Sequence, residues 1–321
     1  MRLKSPNYKI FSAIFLCGFC HTSFSNIAIK DEERNDNFKA YLEFSAGYNN
    51  NPLQAGIDGD PILVEREAVT NSDDQKTVAM GIEYKFIDKY SYDAKLLFDH
   101  FNETFYLLKE ASWRTSTISL PISIYADKTR FRIKGVYASD ESNNVAVVKR
   151  YEREFEISRK TDLARASISY SLTDLEPPSE TYQYLTGTSR EFGLNLTFPK
   201  SNSNFSVGAS KIQDRHNDTD ENIVSQSGYR ARFIYTSIHD GLRWHYLLDY
   251  RRKNYVEEPA TGFIRRDNTI VASIEPSIIV SENVRLFWKN KLVRNDSNKS
   301  QSDDDKSYFQ FSSLIGMSLD L

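Results

Sequence analysis

Charged side chains recur at alternate positions along several stretches of this sequence, and those rows are where its chemistry could lie. Arg130, Arg132 and Lys134 form one row, and Arg230 and Arg232 a second. Arg243, His245, Asp249 and Arg251 form a third, and Arg285, Lys289 and Lys291 a fourth. Acidic residues at matching parities are Glu83, Asp93, Asp99, Glu152, Glu154, Glu156 and Glu275. A wall carrying such a ladder either borders water and draws anions to it, or ties itself together with salt bridges. The sequence leaves both open. Hydrolytic chemistry would need a histidine beside a Ser, Asp or Asn partner. Among the histidines beyond residue 25, His239 falls in a short turn, His216 in a loop and His245 among cations. His100 has Asp99 and Asn102 nearby but shares its parity with apolar residues, so no catalytic set is expected. Asp214, Asp218, Asp220 and Glu221, and Asp303, Asp304 and Asp305, could attract Ca²⁺ or Mg²⁺. Their spacing fits no cation-loop motif and reads as solvated charge. With no glycine-rich phosphate loop either, neither a metal nor a cofactor is expected.

The elements that must position these rows are legible from composition and period. Of 321 residues, 40% are apolar and 13% aromatic, too many for a disordered chain. The mean hydropathy of −0.54 excludes a bundle of apolar helices. Forty-one basic against 44 acidic residues give no positive excess to hold a nucleic acid.

Residues 1–25 read as an export signal. Arg2, Lys4 and Lys9 precede the apolar stretch from Ile10 to Phe19, and Ser23 to Ser25 supplies small residues for cleavage. Cys17 and Cys20, the only cysteines, would leave with it, which excludes disulfides and thiolate chemistry from the rest. The loss of three cations would shift the net charge from −3 to −6. A short segment, 26–37, then leads into the folded part, 38–321.

From Phe38 onward the period is two, the mark of a strand with one apolar face. Phe38, Ala40, Leu42, Phe44, Ala46 and Tyr48 make the first such face, and thirteen more follow. The last carries Phe309, Phe311, Ile315, Met317, Leu319 and Leu321. In the sixth, Lys149 and Arg153 share a parity with Tyr151, Phe155 and Ile157. A bulge that switches faces would reconcile that segment. Connections after even-numbered segments are tight, such as His239-Asp240-Gly241, and those after odd-numbered ones are longer and polar. The link at 140–146 is only modestly long. An even number of antiparallel strands with short turns at one end and long loops at the other predicts a transmembrane up-and-down β-barrel of fourteen strands. Hydrocarbon offers backbone groups no hydrogen bonds, so a sheet crossing it must close on itself. A β-sandwich alternates too, but its loops need not segregate by length.

The export signal, the early start of the barrel and the last strand, ending Ile315-Gly316-Met317-Ser318-Leu319-Asp320-Leu321, resemble Gram-negative outer-membrane β-barrel proteins. That class usually ends on an aromatic where this chain has Leu321. The resemblance implies an outer-membrane location, contact with outer-membrane lipids and lipopolysaccharide, and recognition of the last strand by the barrel-assembly machinery. Ala46-Gly47-Tyr48-Asn49-Asn50-Asn51-Pro52 and Arg294-Asn295-Asp296-Ser297-Asn298 are similar to the opening and final loops of fourteen-stranded barrels. Those include the surface lipoprotein assembly modifiers and barrels encoded with exopolysaccharide systems.

If the apolar parity faces lipid, the charged rows line the interior. Fourteen strands exceed the roughly eight whose interior side chains fill, and fall short of the 16 to 18 of wide porins. The expectation is therefore a narrow, porin-like passive channel for small anionic or saccharide solutes, or one obstructed by the loop 49–76. Export or assembly of a surface polysaccharide or lipoprotein is the alternative.

Overall fold

The computed structural model describes residues 37–51, 72–217, 225–256, 264–298 and 307–321. The export signal, the leader 26–36, most of the loop 49–76, Asp218, Asp220, Glu221 and Asp303 to Asp305 lie outside them. The strands are β1 (Phe38–Asn49), β2 (Asp73–Lys89), β3 (Tyr92–Phe105), β4 (Trp113–Ala126), β5 (Thr129–Ser142), β6 (Val145–Lys160) and β7 (Arg165–Glu176). They continue as β8 (Gly187–Lys200), β9 (Ser203–His216), β10 (Gln226–His239), β11 (Leu242–Tyr255), β12 (Arg266–Ser281), β13 (Val284–Ser297) and β14 (Tyr308–Asp320). Each pairs antiparallel with its sequence neighbours, and β1 pairs with β14, so the sheet is a closed barrel. Backbone bonds at the seam run from Leu321 N–H to Ala40 O (2.8 Å) and from Ala40 N–H to Leu321 O (3.2 Å). Closure leaves no unpaired edge, the condition for a sheet in hydrocarbon. Among the described residues no helix is long and apolar enough to cross a membrane; the strands cross instead.

The apolar parity is turned outward. Ile82, Leu96, Ile122, Ile133, Ile157, Ile168, Leu194, Leu248 and Trp288 are all exposed, which in water would be an aggregation surface and in a bilayer is the lipid contact. The buried apolar clusters are small and inward. Trp113, Val147, Val148, Tyr182, Tyr184 and Leu185 pack where the β7–β8 connection, through a 3₁₀ turn at Glu180–Leu185, meets the mouth beside β4 and β6. Val271, Val293 and Tyr308 fill the interior beside β12 to β14.

Three details differ from the sequence reading. Only Asn143 and Asn144 separate β5 from β6, with φ of 47° and 63°. Two left-handed residues match the twist of a hairpin, and asparagine tolerates that region, so this link is tight although it sits at the long-loop end. A bulge does exist in β6, where the register slips between Asp140 and Glu141, but it precedes Lys149 and Arg153. Those two pair with Ser139 and Gly135 on the outward row and stay there, Arg153 bound to outward Asp174 of β7. His216 ends β9, its Nδ1 3.0 Å from Leu185 O.

Candidate functional site: the inner wall

The alternation that turns isoleucine and leucine outward carries the charged rows inward, and register decides which of them meet. Along β5 and β6, Arg132 pairs with Glu156 and Lys134 with Glu154 across the strands. Arg130 binds Glu156, Arg132 binds both Glu154 (2.5 Å) and Glu156 (2.9 Å), and Lys134 lies 3.8 Å from Glu154. With Glu152, one step further along, this region balances its charges and stiffens the wall. Just above, Arg150 pairs with Asp140, its Nη2 donating at 3.1 Å.

The β10–β11 region is built around one carboxylate. Asp249, only 2% exposed, accepts from three guanidiniums. Arg230 Nε donates at 2.8 and 3.1 Å, Arg251 Nε at 3.1 Å and Arg232 Nε at 3.2 Å. Within the quartet three guanidiniums share this one carboxylate. Arg230 and Arg251 are buried, whereas the Arg232 side chain is 30% exposed and faces the interior water. Toward the periplasmic end, Arg285 bridges Glu275 (2.7 Å) and Glu43 (3.6 Å). Among the described residues Arg243 and Lys289 form no ion pair, and His245 Nδ1 meets Thr236 Oγ1 at 2.9 Å. Lys291 lies on the inward row of β13, opposite Ser273 and Ser312.

The remaining acidic residues are not partners of the ladder. Glu83 binds Lys95 (2.8 Å), Asp99 accepts from the Tyr41 hydroxyl (3.1 Å), and Asp93 from Tyr125. Sequence reasoning passed over Tyr41, Glu43, Lys95, Asp140 and Arg150. Their parity was the available signal.

A third stretch of wall is mostly small and uncharged, with Glu191 of β8, opposite Ser171, as its acidic member. The inward row of β7 is Ser167, Ser169, Ser171 and Thr173, that of β8 includes Gly193, Asn195 and Thr197, and that of β9 Ser206, Gly208 and Ser210. Asn195 donates to Thr197 Oγ1 (3.1 Å) and accepts from Ser206 (2.9 Å). Side chains this small leave room, and water reaches them: except for Gly193, all are partly exposed. Ser119 and Ser123 of β4, Thr269 and Ser277 of β12 and Ser312 and Ser318 of β14, also inward, are buried. The open part of the interior thus runs beside β7–β9. Arg232 borders it, paired in register with Gly208.

His100 Nδ1 meets Ser116 Oγ at 2.9 Å, but on the outward row, away from this space. The terminal residues Phe309, Phe311, Ile315, Met317, Leu319 and Leu321 lie on the outward row of β14, with its inward row packed against β13 and β1.

A closed fourteen-stranded antiparallel sheet, apolar outside and charged within, defines an outer-membrane β-barrel. No protein-family model matches the sequence, and no curated relative does. Among solved structures, OccAB3 of Acinetobacter baumannii matches at a TM-score of 0.50 and 8% identity, over 88% of this chain and 99% of that one. OmpT of Vibrio cholerae, in its trimer form, gives 0.49 at 8% identity over 88% and 98%. An anion-selective porin from Comamonas acidovorans gives 0.46 at 10% over 88% and 98%. Only the first of these three scores reaches the level at which a fold is shared. The chain is a porin-like barrel of the outer membrane.

Proposed function

We propose that this barrel is a passive channel whose passage runs beside β7–β9 and favours small anionic solutes and saccharides. The observation that carries the reading is the Arg232 head, 30% exposed and bordering a hydroxyl-lined, water-reached wall, with Arg243 and Lys289 outside any ion pair among the described residues further along the interior. Fixed cations in a water-filled bore bounded by lipid lower the barrier for anions, because the apolar surround focuses their field along the bore. Hydroxyls and the Asn195 amide can exchange bonds with the hydroxyls of a passing sugar without holding it. This needs no catalytic group and no cofactor. The outward residues of β14 we assign to recognition by the barrel-assembly machinery.

Purified protein in a planar bilayer under a KCl gradient tests the channel. The expected result is steady conductance with a reversal potential on the chloride side, moved toward zero by Arg232→Ala and Lys289→Ala. A barrel that conducts nothing would instead support export or assembly, and a potassium preference would contradict the role given to the cations.

A further inference from the structure

Glu191 stands on the inward row of β8 with no cation beside it. Its register and diagonal neighbours are Ser169, Ser171 and Thr173 on β7 and Ser210, Ile212 and Asp214 on β9. Asp214 is engaged by Gln226 (2.6 Å). Among the described residues Glu191 forms no ion pair and no hydrogen bond, and the hydroxyls of Ser169, Ser171 and Ser210 are likewise unengaged. The Glu191 side chain is partly exposed and faces the water-reached space.

Next to it the wall is thin. Gly193 and Gly208 carry no side chain, and a Cβ would come within 2.8 Å of Ser169 Oγ at the first and 3.1 Å of Asn195 Oδ1 at the second. Ser169 and Asn195 therefore lie over bare backbone, and the hollow they border ends at Arg232, which pairs with Gly208. Arg232 meets Asp249 through Nε (3.2 Å), and its Nη groups bond no described residue. That end of the guanidinium can take a carboxylate with two parallel hydrogen bonds. Glu191 and Arg232 are two strands and four residues apart, about 16 Å between Cα atoms. Both side chains are long, and the space left between their heads matches one sugar ring with a hydrogen bond at either end.

We propose that this hollow is a binding subsite for a sugar acid, a set of adjacent hydroxyls on a molecule that also carries a carboxylate, with the carboxylate on Arg232 and two hydroxyls on Glu191. The proposal rests on the channel reading above and names its solute. A solute drawn in by cations is an anion, so what it offers Glu191 is hydroxyl hydrogen, and a carboxylate accepts from two adjacent donors at once. A plain carboxylate held at Arg232 meets only repulsion from Glu191, and a neutral sugar has no charge to give Arg232. Glu191 thereby separates sugar acids from both.

Single barrels in a planar bilayer in KCl test this, with interruption of the chloride current as readout. Glucuronate, propionate, glucose and β-alanine are added in turn. Glucuronate is expected to half-block at a concentration about tenfold or more below that of propionate or glucose, because it alone makes a charge-assisted bond at each end. Glu191→Gln should raise its half-blocking concentration to that of propionate, and Arg232→Gln to that of glucose. Glu83→Gln, on β2 where Glu83 binds Lys95 (2.8 Å), should leave it unchanged. Heat-shifted migration on a gel verifies that each variant is folded. A wild-type barrel that passes no ions would bring down the channel reading and this subsite with it. In a conducting barrel, block by glucuronate no better than by propionate or glucose would overturn the subsite alone. So would tighter block by β-alanine, whose ammonium would then occupy Glu191, or an equal effect of Glu83→Gln.

Discussion

Asp249 is the residue on which the inner wall of β10–β11 turns. Replacing it by Asn keeps its size but removes the charge that three guanidiniums share. Arg232 can swing its exposed head into the interior water, but Arg230 and Arg251 are each 7% exposed and cannot. Breaking a buried ion pair by deleting one partner costs roughly 3–5 kcal/mol. Because water enters this barrel and hydrates part of the cluster, the lower end applies, about 3 kcal/mol, or roughly a hundredfold in the folded-to-unfolded ratio. Urea unfolding in lipid vesicles, followed through the emission of Trp113, Trp244 and Trp288, reads this directly. The same variant should conduct with a stronger anion preference, since a negative charge has left a cationic wall. A loss below about 1 kcal/mol, or a shift toward cations, would refute the assignment of Asp249 as the shared counter-ion.

Other perturbations have equally definite outcomes. Between about 0.1 and 1 M KCl the screening length falls from about 10 to 3 Å, so the anion preference of the wild-type channel should shrink toward that of free solution; reversal potentials at matched gradients measure it. Arg153→Leu alone should destabilise the barrel by leaving the outward Asp174 carboxylate without its partner, whereas Arg153→Leu with Asp174→Leu should be neutral or stabilise by about 1–2 kcal/mol in the same unfolding assay. Changing Asn144 to Val, at φ 63°, should cost about 1–3 kcal/mol, and Asn144→Gly much less. Removing Leu319 to Leu321 deletes the bonds between Leu321 and Ala40 and the Leu42–Leu319 pair at the seam, and should slow refolding into vesicles as followed by heat-shifted migration.

The strand count and the inward and outward parities were readable because a strand puts every second side chain on one face, and no helix sustains that period over ten or more residues. The tight β5–β6 link was not, because Asn143-Asn144 differs from an ordinary polar loop only in its backbone angles. β6 misled for a different reason: Arg153 looks misplaced until Asp174, twenty-one residues away, is set beside it by register. The same limit applies to the interior. The cations of the ladder announce themselves by spacing, but that Glu154 and Glu156 meet one group while Asp249 accepts from three others depends on which strands adjoin and in what register. The open side of the bore could have been suspected from Ser167, Ser169 and Ser171, whose alternation with Ile168 and Tyr170 puts small polar residues inward.

Which parity meets water decides both the membrane placement of the barrel and the nature of its interior. Single cysteines placed in turn at Ile168, Ser169, Tyr170 and Ser171 of β7, in a background lacking Cys17 and Cys20, probe it in the membrane with a charged thiol reagent. Positions 169 and 171 should react and impede ion flow, while 168 and 170 stay unmodified until the bilayer is dissolved. Reaction at 168 and 170 instead, or at all four alike, would contradict a barrel with its oily face in lipid and its charged face around water.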